Sequence, residues 1–323
     1  MLSLRCLATC FIVVFLSGAA SVASADQTSS KQLELELQQW LQQRQPQQFQ
    51  GEGQQPLNYF SHLAATESDI ALIYLHGIES HSGWFHLVAS RLAGQGYDVY
   101  LPDRRGSGTN RAEMGLEPGH ADSADQLTED LNQLIDQVTP NYKKRYLIGL
   151  SWGGKLAMHY SMQYPEKIDG VILITPGLVA KVDYSLWQKL GIGFCALLCS
   201  EAAFPVPIQA PMFTDDPLFL SFIRNDSLRN TTASASFLWA TNRIDKAINK
   251  GIESFDLPIS LHLAEHDEIV DNDGIVSLLR RSRSNIDQTD YPDQIHSLQF
   301  ETPDQLSRLI GQWLIQQGER NAN

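Results

Sequence analysis

Apolar residues in this chain fall into short blocks of two kinds. Runs such as Ile70-Ala71-Leu72-Ile73-Tyr74-Leu75 and Val171-Ile172-Leu173-Ile174 are apolar at every position. A strand of that type must be covered on both faces, as in a parallel sheet flanked by helices. The pattern predicts strands over 57–63, 70–75, 98–101, 145–150 and 170–175, separated by helices over 84–94, 127–138 and 155–164. The rhythm stops between about Leu178 and Phe255, where Pro205, Pro207, Pro211 and Pro217 punctuate short helical patches. It returns as a strand over 259–264 and helices over 274–283 and 303–316. An interruption of this size between two βα units predicts an inserted helical cap on an α/β fold with a mostly parallel, doubly wound sheet.

This divides the chain into a first core part over 56–177, a cap over 178–255 and a second core part over 256–323. Ahead of them, residues 26–55 are rich in glutamine, with Leu33, Leu37, Trp40 and Leu41 at helical spacing, and predict a short amphipathic helix followed by a flexible tether. Residues 1–25 read as a secretory signal: Arg5, an apolar stretch from Leu7 to Leu16, and small residues ending in Ala23-Ser24-Ala25. The expected compartment is secreted or periplasmic. Once the signal is cleaved only Cys195 and Cys199 remain, four residues apart, where a disulfide would be strained; they are expected to be small packing residues.

With 323 residues, 43% hydrophobic, the chain can bury a sizeable core. Its formal charge of −13 repels phosphate backbones and argues against nucleic acid as a partner. Neither a metal nor an organic cofactor is implied, because no Cys/His cluster has zinc spacing.

The chemistry starts at Gly149-Leu150-Ser151-Trp152-Gly153, a G-x-S-x-G pentapeptide directly after the apolar run Tyr146-Leu147-Ile148 and before a helical stretch. Strand, tight turn and helix in that order form a nucleophile elbow, which holds a serine Oγ clear of the backbone. Gly149 to Lys155 also match the start of a phosphate-binding loop, but Leu156 stands where a magnesium-binding Ser or Thr is needed. A serine hydroxyl needs a base and an orienting acid, which on such folds follow it in the order acid, then histidine. Asp267 lies just beyond the strand over 259–264 and is the expected acid, with Glu265, Glu268 and Asp271 as rivals. His296 is the one histidine beyond that loop and the expected base; His266 adjoins Asp267 in sequence, and His159 falls within a helix. Two donors must also meet the oxyanion formed on attack. The backbone N–H groups of Trp152 and of Ile78, in His76-Gly77-Ile78-Glu79, are the expected pair, with His76 stabilising the turn.

These segments carry a resemblance. His76 to Phe85 resembles the oxyanion loop of the monoacylglycerol lipase and lysophospholipase group of α/β-hydrolases, and Asp103-Arg104-Arg105-Gly106-Ser107-Gly108-Thr109 is similar to its D-x-x-G-x-G-x-[ST] segment. The likeness runs from about Pro56 to the C-terminus. It implies an α/β-hydrolase fold, a Ser151–Asp267–His296 triad and Ile78 and Trp152 as oxyanion donors. The family's acid closes a G-x-x-D pattern, and here Ala264 replaces the glycine.

The apolar cap stretch Gly191 to Leu198 suits an acyl chain that must be kept from water, and equally a surface packed on the core. The expected substrate is a carboxylic ester with a medium or long acyl group, such as a monoacylglycerol or lysophospholipid, and the cap is where the protein would touch a membrane. Three alternatives stand beside it. An aminopeptidase would need a cap carboxylate such as Asp215, Asp216 or Glu201; an acyltransferase would exclude water; a binding protein would keep the fold without turnover.

Overall fold

The computed structural model describes residues 29–320. The expected signal over 1–25 lies outside the described residues. No helix among those described is long and apolar enough to cross a membrane.

Ten strands and ten helices follow in chain order among the described residues, apart from short 3-10 turns. The main sheet contains β1 (Gln47–Gln50), β2 (Pro56–His62), β3 (Ile70–Leu75), β4 (Asp98–Pro102), β5 (Lys144–Leu150), β6 (Gly170–Ile174), β9 (Ile259–Ala264) and β10 (Ile286–Tyr291). Their spatial order is β1-β2-β4-β3-β5-β6-β9-β10; the first two pairings are antiparallel and the rest parallel. β7 (Ala203–Pro205) and β8 (Thr232–Ser234) form a separate antiparallel ribbon in the cap. The expected α/β-hydrolase fold, a mostly parallel sheet with an inserted helical cap, is the fold observed.

Alternation along each inner strand explains the layers. Ala71, Ile73 and Leu75 of β3 face one way and share a core with Leu127, Leu131 and Leu134 of α3 (Ala124–Val138), Leu156 of α4 (Trp152–Gln163) and Ile275 of α8 (Asn272–Leu279). Leu72 and Tyr74 face the other way, against Val88 and Leu92 of α2 (His86–Gly94) and Leu306, Ile310 and Trp313 of α10 (Pro303–Arg320). Every position is therefore apolar because both faces are covered. α3 starts at Ala124 rather than 127, because the Ser123 side chain accepts from Gln126 N at 3.0 Å and caps it. The helix expected from 84 opens as a 3-10 turn, Ser82–Phe85, before α2 proper.

The N-terminal region departs from the expected tether. Residues 29–43 form α1, whose Leu37 is buried and whose Trp40 stacks on His86 with ring centroids 4.6 Å apart. Residues 47–50 then pair with β2, Gln47 opposite Tyr59 and Phe49 opposite Leu57. The segment is the edge of the sheet. The cysteines are unbonded, and Cys199 is exposed, so it does not pack as expected.

The cap holds α5 (Leu186–Leu198), α6 (Pro217–Asn225) and α7 (Ala235–Gly251) with the small ribbon. It sits over the carboxyl ends of the parallel strands, where register aligns Leu150 with Ile174 and Ile174 with His262. That edge is where loops can bring distant side chains together.

Candidate active site

Ser151 follows β5 directly, with φ 52° and ψ −122°, a backbone region that a residue with a Cβ seldom enters. Its N–H donates to Ile174 O at 3.0 Å, and its carbonyl accepts from Gly154 N at 2.9 Å and Gly177 N at 2.7 Å. The flanking glycines are sterically required. A Cβ on Gly149 would lie 2.6 Å from Gly154 Cα, and one on Gly153 would collide with the Leu75 carbonyl. Gly153→Ala should therefore destabilise the fold by about 3 kcal/mol or more through backbone displacement, measured as the shift in thermal unfolding midpoint.

Asp267 and His296 meet. The Nδ1 of His296 lies 2.7 Å from Asp267 Oδ2, and both side chains are fully buried. The other carboxylate oxygen accepts from Ile269 N at 2.8 Å and Val270 N at 2.9 Å. Burial alone would raise this acid, but His296 and the two backbone donors outweigh it and hold the carboxyl below the usual carboxylate range. The ionised acid thus fixes the proton on Nδ1. That leaves Nε2 as the acceptor, and it is buried with no hydrogen-bond partner among the described residues. The carbonyl of His296 accepts from Thr175 Oγ1 at 3.0 Å, and Thr175 follows Ile174, whose own carbonyl holds Ser151. The imidazole's backbone is therefore tied to the elbow through one strand end, while no hydrogen bond joins Ser151 Oγ to Nε2 in this structure.

The rival acids and histidines make other contacts. Asp271 caps α8 through Gly274 N at 3.2 Å, Glu265 accepts from Asp293 N at 3.1 Å, and Glu268 is exposed. His266 is exposed beside Asp293, and His159 is buried in α4 against Gln163.

The loop after β3 runs against the elbow: a Cβ on Gly77 would sit 3.3 Å from Ser151 Cβ. Ile78 and Trp152 line the same cavity as Ser151. Trp152 opens α4, so its N–H has no intrahelical acceptor, and the Ile78 N–H has none among the described residues. His76 Nε2 accepts from Arg104 N at 2.9 Å, so Nδ1 is the protonated nitrogen and donates to Gly77 O at 2.8 Å. Burial, aided by Arg104, holds this ring down to about 3, so it is neutral and fixes the turn. Asp103 anchors the neighbouring loop, accepting from Ser82 N, Thr109 N and Thr109 Oγ1, each at 2.8 Å. Gly108 packs so tightly on that carboxylate that no Cβ fits.

Sequence reasoning missed two features here. Arg104 reaches back to the loop after β3, and buried Glu79 pairs with Arg229 of the cap at 2.5 Å. No local pattern marks either, because a long side chain's direction and a partner 150 residues away leave no spacing to read. The cavity above Ser151 has a volume of about 590 Å³. Ile192, Val206, Ile208, Leu238, Trp239 and Ile269 make most of it apolar, and Lys155, paired with Asp245 at 2.5 Å, marks a polar end.

Comparison with known proteins agrees with this fold. Residues 66–303 match the family model Hydrolase_4, described as serine aminopeptidase, S33. An abhydrolase domain-containing protein of Dictyostelium discoideum is 26% identical over 67% of this chain, which spans only 22% of that longer protein. The probable lysophospholipase L2 of Haemophilus influenzae is 26% identical over 68% of this chain and 75% of its own. Among solved structures, the monoacylglycerol lipase of Paleococcus ferrophilus superposes with a TM-score of 0.71 over 81% of this chain and 99% of its own, at 19% identity, a likeness of fold. Because the family model spans both core parts and the cap between them, the chain belongs to the Hydrolase_4, serine aminopeptidase S33, family and is a hydrolase with the α/β-hydrolase fold.

Proposed function

We propose that this protein is a serine hydrolase that cleaves carboxylic esters of medium or long acyl chains through an acyl-enzyme, on substrates of the monoacylglycerol or lysophospholipid class. One observation carries the reading: a buried Asp267–His296 pair with a free Nε2, tied to a strained serine that opens into a large apolar cavity. Ser151 Oγ attacks the ester carbon as its proton passes to His296 Nε2; the carbonyl oxygen becomes an oxyanion facing the N–H groups of Ile78 and Trp152. The intermediate collapses as His296 returns the proton to the departing alcohol, and water repeats the sequence to free the acid. Asp267 stays ionised and steadies the imidazolium.

The names of relatives support the lipid class, and so does the lining, since sequestering an acyl chain is worth about 0.8 kcal/mol per methylene. An aminopeptidase would need a carboxylate to hold a free amine. Glu201 and Asp215 are exposed, Asp216 caps α6 through Leu218 N at 2.8 Å, and none of the three lines the cavity. Asp183 and Asp245 do line it but are already paired with Lys189 and Lys155. Hydrolysis of glyceryl and aryl esters across chain lengths tests this: kcat/KM should climb with acyl length to at least eight carbons, at roughly threefold or more per pair of methylenes. Preference for acetyl esters, or release of amino acids from peptides, would contradict it. Product analysis with added alcohols separates hydrolysis from acyl transfer.

The cap also supports contact with a lipid surface. Leu186, Trp187, Leu190, Phe194, Leu197 and Leu198 of α5 are exposed, Trp187 and Leu197 by 80% each. At roughly 100° per residue these six fall within one face about 120° wide. The paired change Trp187→Asp with Phe194→Ser should weaken binding to phosphatidylcholine vesicles by about 10-fold or more, read by co-sedimentation, and leave turnover of a soluble short-chain ester unchanged.

A further inference from the structure

Arg104 folds back beneath the loop that carries Ile78. Its Nη1 donates to Gly77 O at 3.4 Å, and its Nη2 to Ile78 O at 3.2 Å and Ser107 Oγ at 2.8 Å. The same guanidinium lies 4.6 Å from the Trp152 ring centroid and 4.7 Å from that of Phe237. Gly77 O and the Ile78 N–H belong to one peptide unit, and no peptide among the described residues is cis. The two groups therefore point in opposite directions. A donor held on the oxygen fixes the direction of the N–H at the far end, and His76 Nδ1 restrains the same oxygen at 2.8 Å.

We propose that Arg104 is a positioning residue for the oxyanion hole: it grips the Ile78 peptide by its oxygen and Trp152 by its ring, setting both donors before substrate arrives. The inference rests on the oxyanion role of Ile78 and Trp152 argued above. Its physical basis is that preorganised dipoles stabilise developing charge without reorganising during the reaction. A fixed cation on the carbonyl end also polarises the peptide, so the opposite N–H becomes a stronger donor. Lysine could supply the charge but not the fork that spans two carbonyls and stacks on two rings.

Three substitutions test this. Arg104→Met keeps the stem against the rings and removes the charge, Arg104→Lys keeps a point charge, and Arg104→Ala leaves room for guanidinium added from solution. For Arg104→Met on a short aryl ester, kcat should fall about 30- to 100-fold while KM stays within about threefold, somewhat less than the loss of a whole donor. A trifluoromethyl ketone, which forms a tetrahedral oxyanion on the serine, should lose affinity by the same factor. A non-hydrolysable ether analogue of the substrate should bind unchanged, whereas a merely structural role would weaken both. Arg104→Lys should lose about 10-fold in kcat, and millimolar guanidinium should restore part of the rate to Arg104→Ala. Unchanged kcat in Arg104→Met, or equal weakening of ketone and ether, would overturn the proposal; should that variant fail to fold, an unimpaired Arg104→Lys overturns it instead. Fluorophosphonate labelling of the wild-type protein separates the two readings. Without labelling at Ser151 both fall, and with labelling but unaffected variants this one falls alone.

Discussion

Ser151→Ala should lower ester turnover by roughly 10⁶-fold, down to what binding and the oxyanion donors alone supply. The substitution removes one oxygen from the floor of the cavity and leaves the elbow's backbone bonds to Ile174, Gly154 and Gly177 in place. Alanine at the same positive φ carries the same backbone strain as serine. The thermal midpoint should therefore stay within about 2 °C while activity disappears, a combination that separates lost chemistry from lost fold. Purified variant and wild type, compared in the same ester assay and by calorimetry, give both numbers.

Asp267→Asn should cost about 10⁴-fold in kcat. The reason lies in the hydrogen bonds around the carboxyl. Ile269 N and Val270 N both point at Oδ1, so an asparagine would keep its amide oxygen there and turn its NH₂ toward His296 Nδ1. The imidazole would then have to accept at Nδ1 and carry its proton on Nε2, where it cannot take one from Ser151. Shape is retained and the tautomer is reversed. The control is Asp271→Asn: asparagine caps a helix about as well as aspartate, so activity should stay within about twofold and stability within about 0.5 kcal/mol. The opposite ranking in kcat would move the acid to Asp271.

How much of this was legible in the sequence follows from burial. Strands β3 and β6 could be read directly because each is covered on both faces and carries apolar residues throughout, and β5 and β9 because apolar residues dominate them despite Lys144 and Arg145 at the start of one and Ser260 and His262 within the other. The edges could not. β1 reads Gln47-Gln48-Phe49-Gln50 and β10 reads Ile286-Asp287-Gln288-Thr289-Asp290-Tyr291, since a strand with a solvated side has little need of apolar residues. That is why glutamine-rich sequence before Pro56 looked like a tether. At the site, Ser151 was picked out by its G-x-S-x-G motif, and Asp267 and His296 were expected from their positions and order along the chain. The structure adds the contact between the last two. What chain order cannot carry is the direction of a long side chain: Arg104 stood in view within the Asp103 segment, and its reach to Gly77 and Ile78 depends on a loop crossing from another strand. Glu79 and Arg229 were hidden for the same reason.

In the mechanism proposed above, one serine hydroxyl is made nucleophilic by a distant acid and imidazole. Intact-mass analysis with peptide mapping, after brief exposure to a long-chain fluorophosphonate, tests it directly. A single adduct should form on Ser151, absent from Ser151→Ala and formed at least about 10³-fold more slowly in Asp267→Asn and His296→Ala. An adduct on another residue, or labelling of Ser151 at an undiminished rate in the His296 variant, would contradict it.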